Sequence, residues 1–189
     1  MSALNSYKTK NQIFKDFIEL TQSALTAFDI NGWEIKQLFQ TIKAINLTKC
    51  VLLQILIKHQ TGAQYTSLAK VEKNNKTDYY KLYNTKQEIQ IRFSATMRNK
   101  STETVDTLDC IDVLEILKNW LQSDDGRAAL TKKGYAQYRA TDIKQQNFQN
   151  DDENVQFLPY FDCTYLYTDS WQNITNNIDS VELQGIYKT

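Results

Sequence analysis

Apolar residues recur with two different periods along this chain, and each period predicts a type of element. Steps of three and four residues, from about Lys10 to Phe28 and again from about Thr104 to Gln122, are typical of amphipathic helices. The apolar stripe of the second helix consists of Cys110, Val113, Leu114, Leu117, Trp120 and Leu121. Elsewhere apolar and polar residues alternate, which indicates strands with one buried face.

The alternating stretches predict a sheet of several strands. "KCVLLQILIKHQTG" is apolar on both faces near its start, which predicts a central strand, and a further strand is predicted from about Gln64. "WEIKQLFQTIKAI" fits a short strand followed by irregular chain, or one continuous helix, and the first interpretation is favoured. The remaining strands are predicted at "EIQIRFSATM", "YAQYRATDI", "NVQFLPYFDCTYLYT" and "DSVELQGIY". This order predicts an α+β fold with two long helices packed on a mostly antiparallel sheet.

A short third helix is predicted directly after the second one. "SDDG" ends the second helix, and Ser123 or Asp124 can accept hydrogen bonds from the free N–H groups of "GRAALTKK". Gly134 then offers the left-handed conformation at which helices commonly stop. The chain is therefore expected to turn sharply from this helix into the strand "YAQYRATDI".

A polar, tyrosine-rich stretch, "KVEKNNKTDYYKLYNTKQ", interrupts the strands. It predicts a hairpin arm at about 64–88 that protrudes from one α+β domain spanning 1–189. Because aromatic residues concentrate at protein interfaces, the arm is a candidate contact with a neighbouring protein. The candidate interface residues are Lys73, Lys76, Tyr79, Tyr80 and Tyr83.

The charges balance, with 22 Lys+Arg and 22 Asp+Glu, so the chain lacks the basic excess of a protein whose main task is gripping nucleic acid. Carboxylates nevertheless crowd the second helix, at Asp106, Asp109, Asp112 and Glu115. One interpretation is a solvated helix face. The other is a negative surface beside passing DNA, which would repel phosphates. The first interpretation is favoured for any single residue.

No catalytic, metal or cofactor motif is present in the sequence. The three cysteines are odd in number and far apart, which argues against a disulfide framework and a zinc site. Phosphate-binding Gly-rich loops, HExxH and CxxC are absent. We therefore expect no cofactor and no enzymatic activity. A Cys-His hydrolase using Cys50 or Cys163 with His59 is a remote alternative.

Two expectations concern location. The start of the chain has no uninterrupted apolar run of the kind that signal peptides carry. The longest apolar stretch, "CVLLQILI", is too short to cross a bilayer. We expect a protein made in a reducing cytoplasm, without a membrane span.

The C-terminal half resembles a known family in the order and character of its segments. The runs "DVLEILKNWLQSDDGRAALTKKGYAQYRATDIKQQ", "ENVQFLPYFDCTYLYTDSW" and "ITNNIDSVELQGIY" resemble neck or tail terminator proteins of tailed bacteriophages. The likeness covers roughly Trp33 to Tyr187 and is most specific from Asp112 to Leu183. The resemblance implies a virion protein of the neck that is made in the cytoplasm of the host bacterium and forms a ring of about six copies.

Further expectations follow from this resemblance. Such a ring caps the tail tube and joins it to the head-completion or adaptor protein, with the tail sheath as a further candidate partner. DNA passes through the ring lumen without sequence-specific binding, and the resemblance makes Asp106, Asp109, Asp112 and Glu115 candidate lumen residues. The alternative function is a small baseplate or host-binding adaptor module.

Overall fold

Three helices and six strands are formed by the residues that the computed structural model describes, which are 7–38, 49–73, 76–97, 108–149 and 155–177. In chain order the elements are α1 (Lys10–Ala27), β1 (Glu34–Gln37), β2 (Lys49–Lys73), β3 (Lys76–Met97), α2 (Cys110–Gln122), α3 (Asp124–Lys132), β4 (Tyr135–Ala140), β5 (Lys144–Gln149) and β6 (Val155–Asn177). The predicted α+β class is confirmed.

The six strands form one mixed sheet in the order β1-β2-β3-β6-β4, with β5 also paired to β6. β1 runs parallel to β2, whereas β4 and β5 both run antiparallel to β6. β5 was not predicted, because "KQQNFQ" shows no apolar alternation. The predicted strand "DSVELQGIY" lies outside the described residues, as do residues 39–45 of the ambiguous stretch, whose beginning forms β1.

Capping side chains fix where the helices begin. Thr9 accepts a hydrogen bond from the backbone N–H of Gln12 at the start of α1. Ser123 accepts one from the N–H of Gly126 and so begins α3, as predicted. The predicted start of the second helix near Thr104 is wrong, because the residues just before Cys110 are not helical and Asp109 caps α2.

The main core lies where the helices meet the sheet. The predicted stripe of α2 is confirmed, since Val113, Leu114, Leu117 and Leu121 are fully buried, Trp120 is buried, and Cys110 packs against the same core. From α1, the ring of Phe17 lies 5.0 Å from that of Tyr135 and 4.7 Å from that of Tyr165. The rings of Phe93 and Phe161, on neighbouring strands, stack at 4.9 Å. Aromatic burial of this extent dominates core energetics.

β2 is one strand where two were predicted. The expected break falls at Gly62, which adopts a φ of 76° that side-chain-bearing residues rarely take, and pairing continues through it. Apolar residues cover both faces near the start of β2, as predicted. Val51 and Leu53 belong to the main core, while Cys50 and Leu52 form a second cluster with Leu158.

The chain divides into two compact units. One contains Met1–Tyr7, Thr61–Lys86 and Thr168–Thr189, and the other contains Lys8–Gln60 and Gln87–Tyr167. All three helices, β1, β4, β5 and the main core belong to the second unit. The predicted arm at about 64–88 overlaps the middle segment of the first unit. Two statements stay predictions: that residues 1–189 form one domain, and that this segment protrudes from it.

Candidate functional site

A groove of about 610 Å³ lies between α3 and the end strand β4, within the second unit. It is lined by Gln122 at the end of α2, by Arg127, Leu130 and Thr131 of α3, and by every residue of β4. The sharp turn at Gly134, with a φ of 79°, brings β4 back beside α3. The groove is therefore produced by the same helix–turn–strand unit that the sequence specifies most clearly.

A β-bulge shapes the floor of the groove. The pairing of β4 with β6 shifts register between Gln137 and Arg139, so Tyr138 is an extra residue in β4. Because of the shift, Tyr138 and Arg139 are both exposed although they are consecutive, and Tyr138 is 70% exposed. Ala140 then returns to pair with Cys163. Bulges re-aim side chains in this manner, commonly at sheet edges and beside functional sites.

The groove carries positive charge that this chain does not neutralise. Arg127 and Arg139 are exposed, and neither guanidinium forms an ion pair or hydrogen bond within the described residues. Gln137 donates from Nε2 to the sulfur of Cys163 at 3.8 Å, and its Oε1 is buried without a hydrogen-bond partner in the described part of the chain. The two guanidinium groups suit a partner that carries carboxylates, whereas the unused acceptor of Gln137 suits an N–H or O–H donor on that partner.

Sequence reasoning missed this groove. Arg127 and Arg139 are twelve positions apart, and an alternating strand pattern would have placed Tyr138 and Arg139 on opposite faces. The exposure of both depends on the bulge, and the bulge depends on pairing with β6, which is distant in sequence. The only local signal was the adjacent Tyr138–Arg139 pair, because Tyr and Arg are enriched at interfaces.

Two of the four acidic residues predicted as lumen candidates, Asp109 and Asp112, cap the start of α2. The Asp109 side chain accepts hydrogen bonds from the N–H groups of Ile111 and Asp112, and Asp112 Oδ2 accepts from the N–H of Asp109 at 3.1 Å. This reciprocal capping box satisfies donors that α2 would otherwise leave free. Asp109, Asp112 and Glu115 are all exposed, and Asp106 lies outside the described residues. Whether any of them faces a lumen stays a prediction.

The predicted interface residues lie on the hairpin formed by β2 and β3. Lys73 ends β2 and Lys76 begins β3, and Tyr79 and Tyr80 follow in β3, but their side chains lie outside the described part of the structure. Tyr83 is half-buried, and its ring stacks on Trp171 at 6.3 Å. At least part of the Tyr83 ring therefore serves the first unit itself.

A polar cluster next to Tyr83 joins three strands of the first unit. Buried Asn84 in β3 donates to the hydroxyl of Ser67 in β2 at 2.8 Å and accepts from the hydroxyl of Ser170 in β6 at 2.6 Å. Because one amide serves both neighbouring strands, this side chain favours a single register between them.

A comparison with protein-family models assigns the chain to a family. The model described as E217 gateway protein gp29 matches residues 13–178. The chain belongs to the E217 gateway protein gp29 family. It is thus a bacteriophage structural protein associated with the neck or portal, and its place is the virion. No curated protein matches the chain.

The gateway family differs in name from the tail terminators that the sequence resembles, but both belong to the phage neck. The matched region includes α2, α3, β4 and β6, the elements on which the resemblance was based. It also includes β2 and β3, and therefore the hairpin with the candidate interface residues. The broader prediction of a phage neck protein is confirmed, while the terminator role stays a proposal.

The chemistry of this gateway-family chain gives no support to the hydrolase alternative. Cys50 and His59 lie nine residues apart on the continuous strand β2, which corresponds to about 30 Å. Burial raises the pKa of Cys163 to about 12 and that of Cys50 to about 11, so both remain thiols at neutral pH. Thiols in this state are poor nucleophiles.

Within the described ranges, no three His, Cys, Asp or Glu side chains are grouped as metal ligands would be. None of the helices that the structure describes is long and apolar enough to span a membrane.

Proposed function

We propose that this chain forms a ring of about six copies at the junction of phage head and tail. The ring ends growth of the tail tube and presents the head-completion complex with a docking surface. The match to the gateway family over residues 13–178 is the observation that supports a place at the phage neck, and the resemblance to tail terminators adds the ring and the end of tube growth. Other copies of the chain, the tube protein, the adaptor protein and the sheath are the proposed partners.

The physical character of the second unit supports a purely structural task. Its aromatic core is buried, and a capping side chain begins each of its helices. The ion pairs Lys8–Asp16 and Arg92–Asp162 both lie within the unit. Arg92, for example, donates two hydrogen bonds to Asp162, at 2.8 and 3.0 Å, and covers the ring of Tyr160 at 3.9 Å. A rigid subunit of this kind suits head-to-tail contacts, which form a closed ring only when the rotation between copies is fixed.

The mass of the purified chain tests the proposal. Six copies of a 22.0 kDa chain give a particle of about 130 kDa, which light scattering separates clearly from a monomer or trimer. Negative-stain images should show rings, and added protein should cap purified tail tubes. A monomer or trimer that binds a glycan and ignores tubes would contradict the ring and would support the baseplate adaptor instead.

The hairpin of β2 and β3 is proposed to reach a neighbouring copy or a neck partner. Removal of residues 71–81 spares Tyr83 and its stack on Trp171, so the chain should stay folded. The same deletion should weaken ring formation or the joining of heads. A matched variant, Tyr79→Ser with Tyr80→Ser, removes two aromatic rings without shortening the hairpin. Full assembly by both variants would show that this segment is not an interface.

The lumen is proposed to be lined by acidic or neutral groups. DNA must pass without sticking, and each cation facing it would add affinity through counterion release. Glu115 is the best residue to test because it is exposed and, unlike Asp109 and Asp112, takes no part in the capping box. Rings of Glu115→Lys should retain DNA at low salt, whereas rings of Glu115→Gln should not.

A map of the assembled ring at side-chain resolution gives the direct check on the lumen. The proposal would be refuted by a lumen dominated by Lys73, Lys76, Lys81 or Arg92. The ion pair of Arg92 with Asp162 already reduces the charge that Arg92 could offer to DNA.

A further inference from the structure

We infer that the groove between α3 and β4 holds an acidic, extended segment, and that this segment is residues 178–189 of a second copy of the chain. The inference rests on the proposed assembly of several copies. The groove contains Arg127 and Arg139, which lack a carboxylate partner within the described residues. A guanidinium binds a carboxylate through two parallel hydrogen bonds, so the occupant should carry carboxylates.

The shape of the groove favours an extended occupant over a helix. All six residues of β4 line it, so it follows the strand for about 20 Å. Because β4 ends the sheet order, its outer edge has no neighbouring strand among the described elements. The bulge at Tyr138 prevents regular pairing along the whole of that edge, so side chains should supply much of the contact.

This chain itself contains a segment of the required chemistry. Within "IDSVELQGIYKT" at 178–189, apolar and polar residues alternate from Val181 to Gln184, which is typical of a strand, and the segment carries Asp179 and Glu182 against one cation, Lys188. Asp179 and Glu182 are about 10 Å apart in extended chain, and their odd spacing turns them to opposite sides of it, so one carboxylate can face α3 and the other β4. Val181 and Leu183 supply apolar side chains that can cover the exposed ring of Tyr138.

A second copy is the source that fits best. Each copy would bring one groove and one such segment, so the contact is heterologous and can repeat from copy to copy around a ring. Once other contacts hold two copies together, the segment acts at a high effective concentration, and a modest intrinsic affinity is sufficient.

Charge reversal in the full-length chain tests this contact. Arg139→Glu should raise the dissociation constant between copies about tenfold, and Glu182→Arg should do the same, because each replaces attraction with repulsion. The chain with both changes should recover much of the association. Lys144→Glu, an exposed charge reversal outside the groove, is the matched control and should have no effect.

Cross-linking between differently labelled chains identifies the source. A mixture of Tyr138→Cys chains and Glu182→Cys chains should form covalent dimers that contain one chain of each kind. A third variant carries both Tyr138→Cys and Glu182→Cys. If a link forms only between the two cysteines of one such chain, the assignment to a second copy is overturned. Rings of normal mass with no link and no effect of Arg139→Glu would overturn the groove contact while leaving the proposed ring function intact. A wild-type chain that stays monomeric at every concentration, together with cysteine variants that form no mixed dimers, would refute both proposals.

Discussion

The strongest stability prediction concerns Asp16, a buried carboxylate on α1. Its Oδ2 accepts from the ammonium of Lys8 at 2.7 Å and from the hydroxyl of Tyr135 at 2.9 Å. Its Oδ1 accepts from Gln12 at 3.1 Å and lies 3.6 Å from the ammonium of Lys133. Asp16 is 5% exposed, so little water can replace these partners. It therefore ties α1 to the turn between α3 and β4.

We predict that Asp16→Asn lowers the free energy of unfolding by about 2–4 kcal/mol at pH 7. Hydrogen bonds to a charged group contribute about 1.5–3 kcal/mol each, and the amide removes the charge from all of them. The sum is reduced because the side chains of Lys8 and Lys133 are 19% and 24% exposed and can regain water. Urea denaturation of both proteins measures the difference.

The same prediction has a pH dependence with a defined sign. Burial raises the pKa of Asp16, but hydrogen bonds from Lys8, Tyr135 and Gln12 outweigh burial and hold the pKa below its usual value. A carboxyl with a depressed pKa stabilises the fold above its unfolded pKa of about 3.9 and loses that contribution as the pH falls through the folded pKa. The difference between wild type and Asp16→Asn should therefore be constant near neutral pH and shrink in acid.

Glu19→Gln provides the control, because Glu19 also pairs with Lys133 but its side chain is 51% exposed. Glu19→Gln should lower the free energy of unfolding by less than about 1 kcal/mol, because exposed ion pairs contribute no more than that. The view that burial makes this network important would be refuted if the two substitutions lowered the free energy of unfolding equally. It would also be refuted if Asp16→Asn lowered that free energy by less than about 0.5 kcal/mol.

Three other substitutions test the packing of the second unit by the same denaturation assay. Leu117→Ala should cost about 2–5 kcal/mol, since Leu117 is fully buried in the main core, and a cost below about 0.5 kcal/mol would place it outside the core. Gly126→Ala should cost about 3 kcal/mol or more, because a Cβ there would lie 2.0 Å from the carbonyl oxygen of Trp120; a stable variant would show that α3 can shift. Arg92→Lys should cost about 1 kcal/mol through loss of the two-pronged bond to Asp162, and a neutral result would show that the planar fork is unnecessary.

Local patterns were sufficient to predict most helices and strands. The stripe of α2, the Ser123 cap and the Gly134 stop depend on side chains within a few residues of each other, so periodicity and capping rules identified them. The start of α2 was wrong because a helix that begins near Thr104 places Asp106 and Asp109 in its first turns, where the helix dipole favours carboxylates. A carboxylate is equally suited to the N-cap position, and in the folded chain Asp109 is the cap.

Features that depend on distant pairing were beyond sequence reasoning. β5 has a polar sequence and is a strand because β6 pairs with it from Gln145 opposite Pro159 to Gln149 opposite Val155. Strand preference of this type comes from neighbours across the sheet and not from the residues themselves. The groove, the bulge at Tyr138 and the burial of Asp16 have the same origin, because each joins residues that are far apart in the chain.

Acidic and basic residues are equal in number, but some are paired within the fold and others are not. Asp16 and Asp162 are used in internal ion pairs, and Asp109 and Asp112 are used in the cap of α2. Charges committed in this way contribute to stability and offer little to a partner. Arg127 and Arg139 form no such pair in the described residues, although both lie in the one groove that β4 and α3 create. In a protein whose proposed task is to join others, the charges left unpaired by folding are therefore the first place to look for assembly contacts.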